Sequence, residues 1–246
     1  MVGVLAIGLA GVFWLAVFGW RRGERPSADS SAPAADRRPL VVIDAGHGGV
    51  DGGTQGFGVL EKRVALATAI ELVRELRRGG VRAELTRDAD VALSLDERVA
   101  FANDRNADAL VSVHFNFSTD SATVRGVETY YSDPKELSAQ MAVASILGVA
   151  ADNRRVVEAS VSLGDAIRAG VVKRADTTDR GTRNRPELAV TRRTHCPAVL
   201  VECAYLSNRT DAARAATPEW QKSLAQGIAD GVMTWLGRDP AVVAPK

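Results

Sequence analysis

Short apolar runs along the chain alternate with longer stretches that have helical periodicity. The first strand-like run, residues 40–43, ends in a glycine-rich turn. Later runs at 81–86, 109–115, 126–131 and 198–201 also predict strands. Because strand and helix patterns alternate, the sequence predicts an α/β fold: a single domain with a mainly parallel, twisted sheet.

Helical patterns fill the intervals between these runs. Residues 61–78 form one apolar stripe, which ends at a pair of glycines. Ser94 and Glu97 have the spacing of a capping box and predict the start of a second helix. Further helices are predicted over residues 133–150, over residues 160–174, and from Thr217 and Pro218 onward. The polar, arginine-rich stretch 177–193 predicts a loop near the site.

The N-terminal segment, residues 1–20, has the length and polarity of a membrane span. Residues 2–20 carry no charge, and as a helix they would extend about 28 Å, close to the thickness of a bilayer core. The apolar core is longer than that of a secretory signal, so an uncleaved transmembrane anchor is favoured over a cleaved signal segment. Arg21 and Arg22 follow the segment, and the positive-inside rule applied to them alone would leave the rest of the chain in the cytoplasm. The orientation therefore stays open.

Composition separates the remainder into a linker, one domain and a tail. Residues 21–38 are rich in Ser, Ala, Pro and charge, which is typical of a disordered linker. The folded domain is expected over residues 39–237, and residues 238–246 are expected to form a flexible tail. With 46% hydrophobic residues, a chain of 246 residues can bury a full core.

Charge and cysteine content give no support for a nucleic-acid-binding protein or for a disulfide-stabilised fold. The formal net charge of +1 gives no electrostatic reason to expect nucleic acid as a partner. The two cysteines, Cys196 and Cys203, flank one predicted strand. Seven extended steps separate them by roughly 23 Å, too far for a disulfide, so both are predicted to be buried thiols.

Four side chains suited to metal binding or proton transfer follow different predicted strands. His47, His114 and Glu202 lie at the ends of apolar runs, and Glu61 starts the helix after the first strand. Ligands of an open parallel sheet bind beyond the carboxyl ends of its strands. Two imidazoles and one carboxylate, with a fourth position for water, form the ligand set of a hydrolytic zinc site. Glu202 would then be a spare carboxylate for proton transfer, and Asp44 is a candidate partner of a ligand histidine.

Each of these residues also has a purely structural interpretation. Glu61 can satisfy free amides at a helix N-terminus, His47 can be a loop residue, and His114 can be a hydrogen-bonded core residue. His195 is predicted to be a surface or loop residue. Glu202 can be a structural glutamate paired with one of Arg183, Arg185, Arg192 or Arg193.

Six short motifs then occur in a fixed order over about 170 residues. In this order the chain resembles the zinc-dependent N-acetylmuramoyl-L-alanine amidases. The motifs are Val42 to Gly49 with Asp51 and Gly53, Glu61-Lys62, Leu85-Thr86-Arg87, Arg98 with Ala102-Asn103, Ser112 to Asn116, and Val201-Glu202 followed by Leu206-Ser207-Asn208. Each motif alone is weak, but the ordered set is specific.

The resemblance implies a chemistry and a fold. It implies Zn²⁺ held by His47, Glu61 and His114, with Glu202 as the catalytic acid and base. The bond cleaved would be the amide between N-acetylmuramic acid and L-alanine in peptidoglycan. It also implies a mixed sheet of about six strands wrapped by helices.

Two other functions remain open on the sequence alone. A zinc peptidase on the same scaffold would cut the stem peptide, and a binding module would hold peptidoglycan without cutting it. A binder needs no spare carboxylate, so Glu202 favours an enzyme. The expected partner is peptidoglycan, with the N-terminal helix in the membrane, and the sequence leaves open whether a protein activator is needed. The expected location is the cell envelope, with the domain anchored outside the cytoplasmic membrane.

Overall fold

The computed structural model describes residue 36 and residues 38–134 and 154–240. The predicted membrane segment 1–20, nearly all of the linker 21–38 and most of the helix predicted over 133–150 lie outside the described residues. Among the residues that are described, no helix combines the length and the apolar character that a membrane span requires.

The domain is built on a six-stranded sheet in the order β4-β1-β5-β8-β6-β7. Neighbouring strands pair in parallel except β6 and β8, which are antiparallel. A two-stranded hairpin, β2-β3, stands apart from this sheet. The bounds are β1 Leu40–Ala45, β2 Gln55–Gly56, β3 Val59–Leu60, β4 Arg82–Leu85, β5 Ala109–Asn116, β6 Val127–Tyr131, β7 Asp179–Asn184 and β8 Ala198–Tyr205. The prediction of a mainly parallel sheet is confirmed.

Six helices lie in the described part of the chain. They are α1 Glu61–Arg78, α2 Leu95–Asp104, α3 Arg154–Ala175, α4 Ala189–Arg193, α5 Arg209–Ala215 and α6 Pro218–Trp235. The capping box of α2 is formed as predicted: the Ser94 hydroxyl accepts from the Glu97 amide, and the Glu97 carboxylate accepts from the Ser94 amide. Each of these two contacts pairs a backbone amide at the helix N-terminus that has no partner within the helix.

The two faces of the sheet are covered unequally. Strand residues such as Ile43, Val113 and Val201 face a large core that also contains the apolar stripes of α1, α3 and α6. Alternate residues, such as Val42 and Leu110, face a much smaller core that α2 and α4 complete. Side chains two residues apart on a strand point to the same face. Polar residues that continue the rows of Val42 and Leu110 therefore lie on the thinly covered face.

Three parts of the structure differ from the sequence-based expectation. Residues 177–193 are not a loop, because they contain β7 and α4. As an edge strand, β7 pairs only with β6 and keeps much of its surface in solvent, so it carries no hydrophobic alternation. The β2-β3 hairpin and α5 were not predicted. Strands β5 and β8 also run on for two and three residues past His114 and Glu202 respectively.

Cys196 and Cys203 are both free and buried, as predicted from their separation along the strand. Burial raises the pKa of both thiols, which keeps them in the neutral, unreactive form.

Candidate active site and metal centre

The loop after β1 places His47 by means of an unusual backbone and closely spaced glycines. His47 has a φ of 58°, in the left-handed region that is uncommon for a residue with a side chain. A Cβ at Gly46 would lie 2.5 Å from the His114 ring. A Cβ at Gly53 would lie 2.5 Å from Glu61 Oε2 and 2.6 Å from the His47 ring. The three side chains can therefore approach each other only because these two positions are glycine.

His47, Glu61 and His114 meet in one cluster. Glu61 Oε1 lies 3.1 Å from His47 Nε2 and 3.0 Å from His114 Nδ1. The ring centroids are 4.9 Å apart with the planes at 77°, and the three donor atoms all lie within 4.8 Å of one another. Tetrahedral zinc with bonds of about 2.0–2.2 Å needs donor atoms about 3.3–3.5 Å apart. The two distances from Glu61 Oε1 come within about 0.5 Å of this spacing, and the two histidine donors lie within 4.8 Å of each other, so the donor set suits such an ion.

Glu61 is held in place by backbone amides of other segments. Its side chain is 2% exposed, Oε2 accepts from the Thr54 amide at 2.8 Å, and Oε1 accepts from the Phe115 amide at 3.0 Å. Burial raises the pKa of Glu61, but hydrogen bonds and charges from His114 and His47 outweigh it and lower that pKa. Glu61 therefore stays ionised. The amides that donate to it come from other segments, so it does not cap the free N-terminal amides of α1.

Asp51 orients the imidazole of His47. Asp51 Oδ2 lies 2.8 Å from His47 Nδ1, and Asp51 Oδ1 accepts from the Gly53 amide at 3.0 Å. This contact leaves Nε2 directed at Glu61. Burial lowers the pKa of His47, but Glu61 and Asp51 outweigh it and raise that pKa. A carboxylate on the second ring nitrogen is the usual support of a metal-binding histidine.

Asp44, the residue expected in that role, makes no contact with a histidine in the described structure. It is fully buried and accepts from Thr86 Oγ1 at 2.7 Å, Ser112 Oγ at 2.6 Å and Arg98 Nη1 at 2.6 Å. Its effect on the site passes through Arg98, which also donates to the carbonyl of His47 at 2.8 Å. Asp44 therefore supports the left-handed backbone of the loop.

Two further cations hold the same loop. Arg87 Nη2 donates to the carbonyl of Gly46 at 2.7 Å. Lys62 Nζ donates to the carbonyl of Gly49 at 2.6 Å and pairs with Asp90 at 2.8 Å, while Asp90 accepts from the Gly49 amide. A loop rich in glycine has many accessible conformations, and these contacts restrict it to one.

Glu202 lies beside the cluster, in a row of residues that crosses three strands. It pairs in register with His114 on β5 and with Glu128 on β6, so the three side chains leave the same face of the sheet. Within the described residues, Glu202 Oε2 is shielded from solvent without a hydrogen-bond partner. Burial, followed by the charges of Glu61 and Glu128, raises the pKa of Glu202 well above its usual range.

The structural interpretation of Glu202 is not supported. No arginine of the described residues forms a salt bridge with it. Three of the four arginines considered pair elsewhere: Arg183 with Glu128, Arg185 with Glu187 and Arg193 with Asp96. The residue is half-buried, and its shielded, unpaired oxygen is costly unless a ligand or a reaction uses it.

Comparison with known proteins agrees with this geometry. The family described as Amidase_3, N-acetylmuramoyl-L-alanine amidase, matches residues 41–234. The chain belongs to this family. It is therefore a peptidoglycan amidase, a hydrolase of the cell wall, and its place of action is the cell envelope.

Three relatives illustrate the extent of the likeness. The N-acetylmuramoyl-L-alanine amidase LytC of Bacillus subtilis is 30% identical over 87% of this chain and 39% of its own length. The amidase AmiC2 of Nostoc punctiforme is 35% identical, with a TM-score of 0.69 over 81% of this chain and 98% of that structure. The CwlD amidase of Clostridioides difficile, solved in complex with the GerS lipoprotein, has a TM-score of 0.69 over 81% of this chain and 99% of that structure. At 23% identity the last comparison shows the fold alone.

A buried carboxylate beside Glu202, Glu128, was not predicted from the sequence. Glu128 is fully buried and accepts from Asn116 Nδ2 at 2.9 Å, from Arg183 Nη1 at 2.8 Å and from the hydroxyl of Tyr205. Burial and the Glu128 contact raise the pKa of Tyr205 to about 12, so its hydroxyl remains a donor. A lone glutamate among β-branched and aromatic residues in a predicted strand is the signal that could have identified it.

His195, the third histidine of the amidase, takes no part in the site. It is exposed just after α4, and its backbone amide donates to Asn103 Oδ1 at 2.9 Å. The prediction of a surface residue is confirmed.

Proposed function

We propose that this amidase uses zinc to hydrolyse the amide between N-acetylmuramic acid and L-alanine, with His47, Glu61 and His114 as ligands and Glu202 as general acid and base. The observation that carries the proposal is the cluster of three donor atoms within 4.8 Å of one another, with the carboxyl of Glu202 unpaired next to it. Two imidazoles and a carboxylate are the donor set that zinc hydrolases use.

The bound ion would supply Lewis-acid polarisation of the scissile carbonyl and activation of a water molecule. The protein supplies the frame for that chemistry. Glu61 stays ionised inside the fold, and Asp51 fixes His47 so that Nε2 is available as a donor. Both groups thus already present their ligand atoms to one site, which favours tight binding.

Glu202 moves the proton. It accepts a proton from the attacking water as the carbon–oxygen bond forms, and it delivers that proton to the nitrogen of L-alanine as the carbon–nitrogen bond breaks. The products are the lactyl carboxylic acid of the sugar and a stem peptide with a free amino group. Burial raises the pKa of Glu202 well above its usual range, and a raised pKa suits a carboxyl group that must both accept and give up a proton.

The parts of the chain outside the described residues extend this proposal. Residues 1–20 are proposed to anchor the amidase to the cytoplasmic membrane, and residues 21–38 to act as a linker to a catalytic domain over 39–237, with 238–246 as a tail. The domain would then face the wall, on the outer side of the membrane. A protein activator remains a proposal as well, and the complex of CwlD with a lipoprotein is a property of that protein.

The test is digestion of purified peptidoglycan by the full-length chain in detergent, with and without a chelator, with products read by mass spectrometry. We expect stem peptides that begin with a free L-alanine, lost with chelator and restored by zinc. Cuts inside the stem would instead indicate a peptidase, and digestion unaffected by chelator would exclude the metal.

A second arm tests the proton carrier. Glu202→Gln should bind zinc with normal stoichiometry and lose turnover by at least about 100-fold, the usual contribution of a general acid and base. Glu219→Gln, an exposed glutamate at the start of α6, is the matched control and should keep full turnover. Normal turnover in Glu202→Gln would remove Glu202 from the mechanism.

A further inference from the structure

The edge strand β7 presents two arginines beside the row that contains Glu202. Arg183 Nη1 lies 2.8 Å from Glu128 Oε2, and Arg180 Nε lies 3.9 Å from the same oxygen. Glu128 is the register neighbour of Glu202 across β6 and β8. The two guanidinium groups therefore adjoin the proposed proton carrier on the side away from His114.

A β-bulge brings both arginines to one face. Val127 pairs with Asp179, but Thr129 pairs with Thr182, so β7 advances three residues while β6 advances two. Gly181 adopts a φ of +92° within this irregularity. Residues three apart on a regular strand point to opposite faces, and one inserted residue turns the second of them back to the first face. The bulge is thus what allows Arg180 and Arg183 to share Glu128.

The pair retains charge and donors for a ligand. Glu128 is buried and can neutralise only one of the two guanidinium groups. Arg180 Nε is shielded from solvent and has no hydrogen-bond partner among the described residues, while the Arg180 guanidinium stacks over the Tyr205 ring at 5.1 Å. The Arg183 side chain is 51% exposed. A site with one excess positive charge and an unmet donor suits a carboxylate.

The spacing fits a group close to the scissile bond. Neighbouring strands lie about 4.8 Å apart, so β7 is about 10 Å from β8 along the sheet, and the arginines reach back from β7 toward Glu128. One extended peptide residue spans about 3.3–3.6 Å, so two residues span about 7 Å. This length suits the part of the interval of about 10 Å that the arginine side chains do not cover, between the guanidinium groups and Glu202.

We infer that Arg180 and Arg183 form a subsite for a free carboxylate of an acidic stem peptide, borne by the second residue after the scissile amide. This inference rests on the proposed function, because it takes the reacting amide to lie between the His47–Glu61–His114 cluster and Glu202. The subsite distinguishes stems in which that carboxylate is free from stems in which it is amidated.

The test compares two soluble substrates that differ at one group: N-acetylmuramoyl peptides with D-glutamate or with D-isoglutamine as the second stem residue. The full-length chain should cleave the free acid with a kcat/KM about ten-fold higher or more, since a charge-assisted contact is lost with the amide. The difference should lie mainly in KM. Cleavage of neither substrate would refute the proposed function itself, whereas equal cleavage of both would refute only the subsite.

Variants then assign the preference to the two arginines. The double variant Arg180→Gln/Arg183→Gln should bring the ratio of the two kcat/KM values near one. Arg183→Lys should keep part of the preference, because the charge remains. Arg74→Gln, an arginine 62% exposed on α1, is the matched control and should keep the full ratio. If the double variant has the melting temperature of the native chain and its ratio of kcat/KM values is unchanged, the inference is wrong.

Discussion

Replacement of Arg98 by alanine tests whether the backbone of the loop that carries His47 depends on a buried ion pair. The Arg98 side chain is 6% exposed and its partner Asp44 is 1% exposed. The guanidinium also donates to the carbonyls of Ala45 at 2.7 Å and His47 at 2.8 Å. Alanine would leave one buried carboxylate without its cation and two carbonyls without their donor.

The expected cost follows from these contacts. Removal of one partner of a buried pair destabilises a protein by about 3–5 kcal/mol. A domain of about 200 residues loses about 2–4 °C of melting temperature per kcal/mol, so Arg98→Ala should melt about 6–20 °C below the native chain. Arg98→Lys keeps the charge but cannot span Asp44 and His47 with a planar fork, so its loss should be intermediate. Thermal unfolding of the full-length chain by circular dichroism, with and without zinc, measures both.

A double-mutant cycle isolates the pair. In Asp44→Asn/Arg98→Ala the buried carboxylate is gone, so the double variant should be more stable than the sum of the single effects by about 1–3 kcal/mol. Arg74→Ala, at an exposed pair with Glu71 on α1, is the control and should stay within about 0.5 kcal/mol of the native chain. An Arg98→Ala chain as stable as that control, or strict additivity in the cycle, would refute the reasoning.

Three further predictions concern the same region. Burial raises the pKa of Asp44, but Arg98 and the hydroxyl donors outweigh it and lower that pKa. Its stabilising effect is therefore present above about pH 4, the unfolded pKa, and is lost as the pH falls toward the folded pKa, so Asp44→Asn should show a shallower acid limb in a stability–pH titration. Asp51→Ala should weaken zinc binding about ten-fold in a competition titration, at the lower end of the usual range because Asp51 is 62% exposed. Gly53→Ala should reduce the zinc content found by elemental analysis, because its Cβ would meet Glu61 Oε2 and the His47 ring at 2.5–2.6 Å. Full zinc occupancy in Gly53→Ala would mean that the loop can relax around the methyl group.

Periodicity predicted the elements that are buried on one face or both. Strand β1 is buried at all six positions, and the helix predicted over residues 61–78 is α1. These elements are easy to recognise because the core imposes a pattern on every turn or every second residue. The four candidate residues could be chosen for the same reason: each lies at or after the end of an apolar run that the core defines, and parallel strands end at one edge.

The remainder could not be predicted because its causes are non-local. The identity of the carboxylate that supports His47 depends on how the loop turns, and this loop brings Asp51 rather than Asp44 to the imidazole. Strand β7 has no hydrophobic alternation because it lies at the edge of the sheet. The cluster around Glu128 joins side chains from four strands, and only the sheet order brings them together.

The row of His114, Glu202 and Glu128 has a consequence for how this enzyme can change. The proposed metal ligand, the proposed proton carrier and the buried carboxylate of Glu128 occupy adjacent rungs of a hydrogen-bonded ladder, whose pitch of about 4.8 Å is set by the peptide backbone. Loop insertions can alter what reaches the site, but they cannot stretch that pitch. A slip of one residue in any of the three strands would send its group to the opposite face, into the apolar core. The relative positions of these three groups are therefore fixed together by the sheet, whereas the loops and the edge strand beside them can vary without moving them.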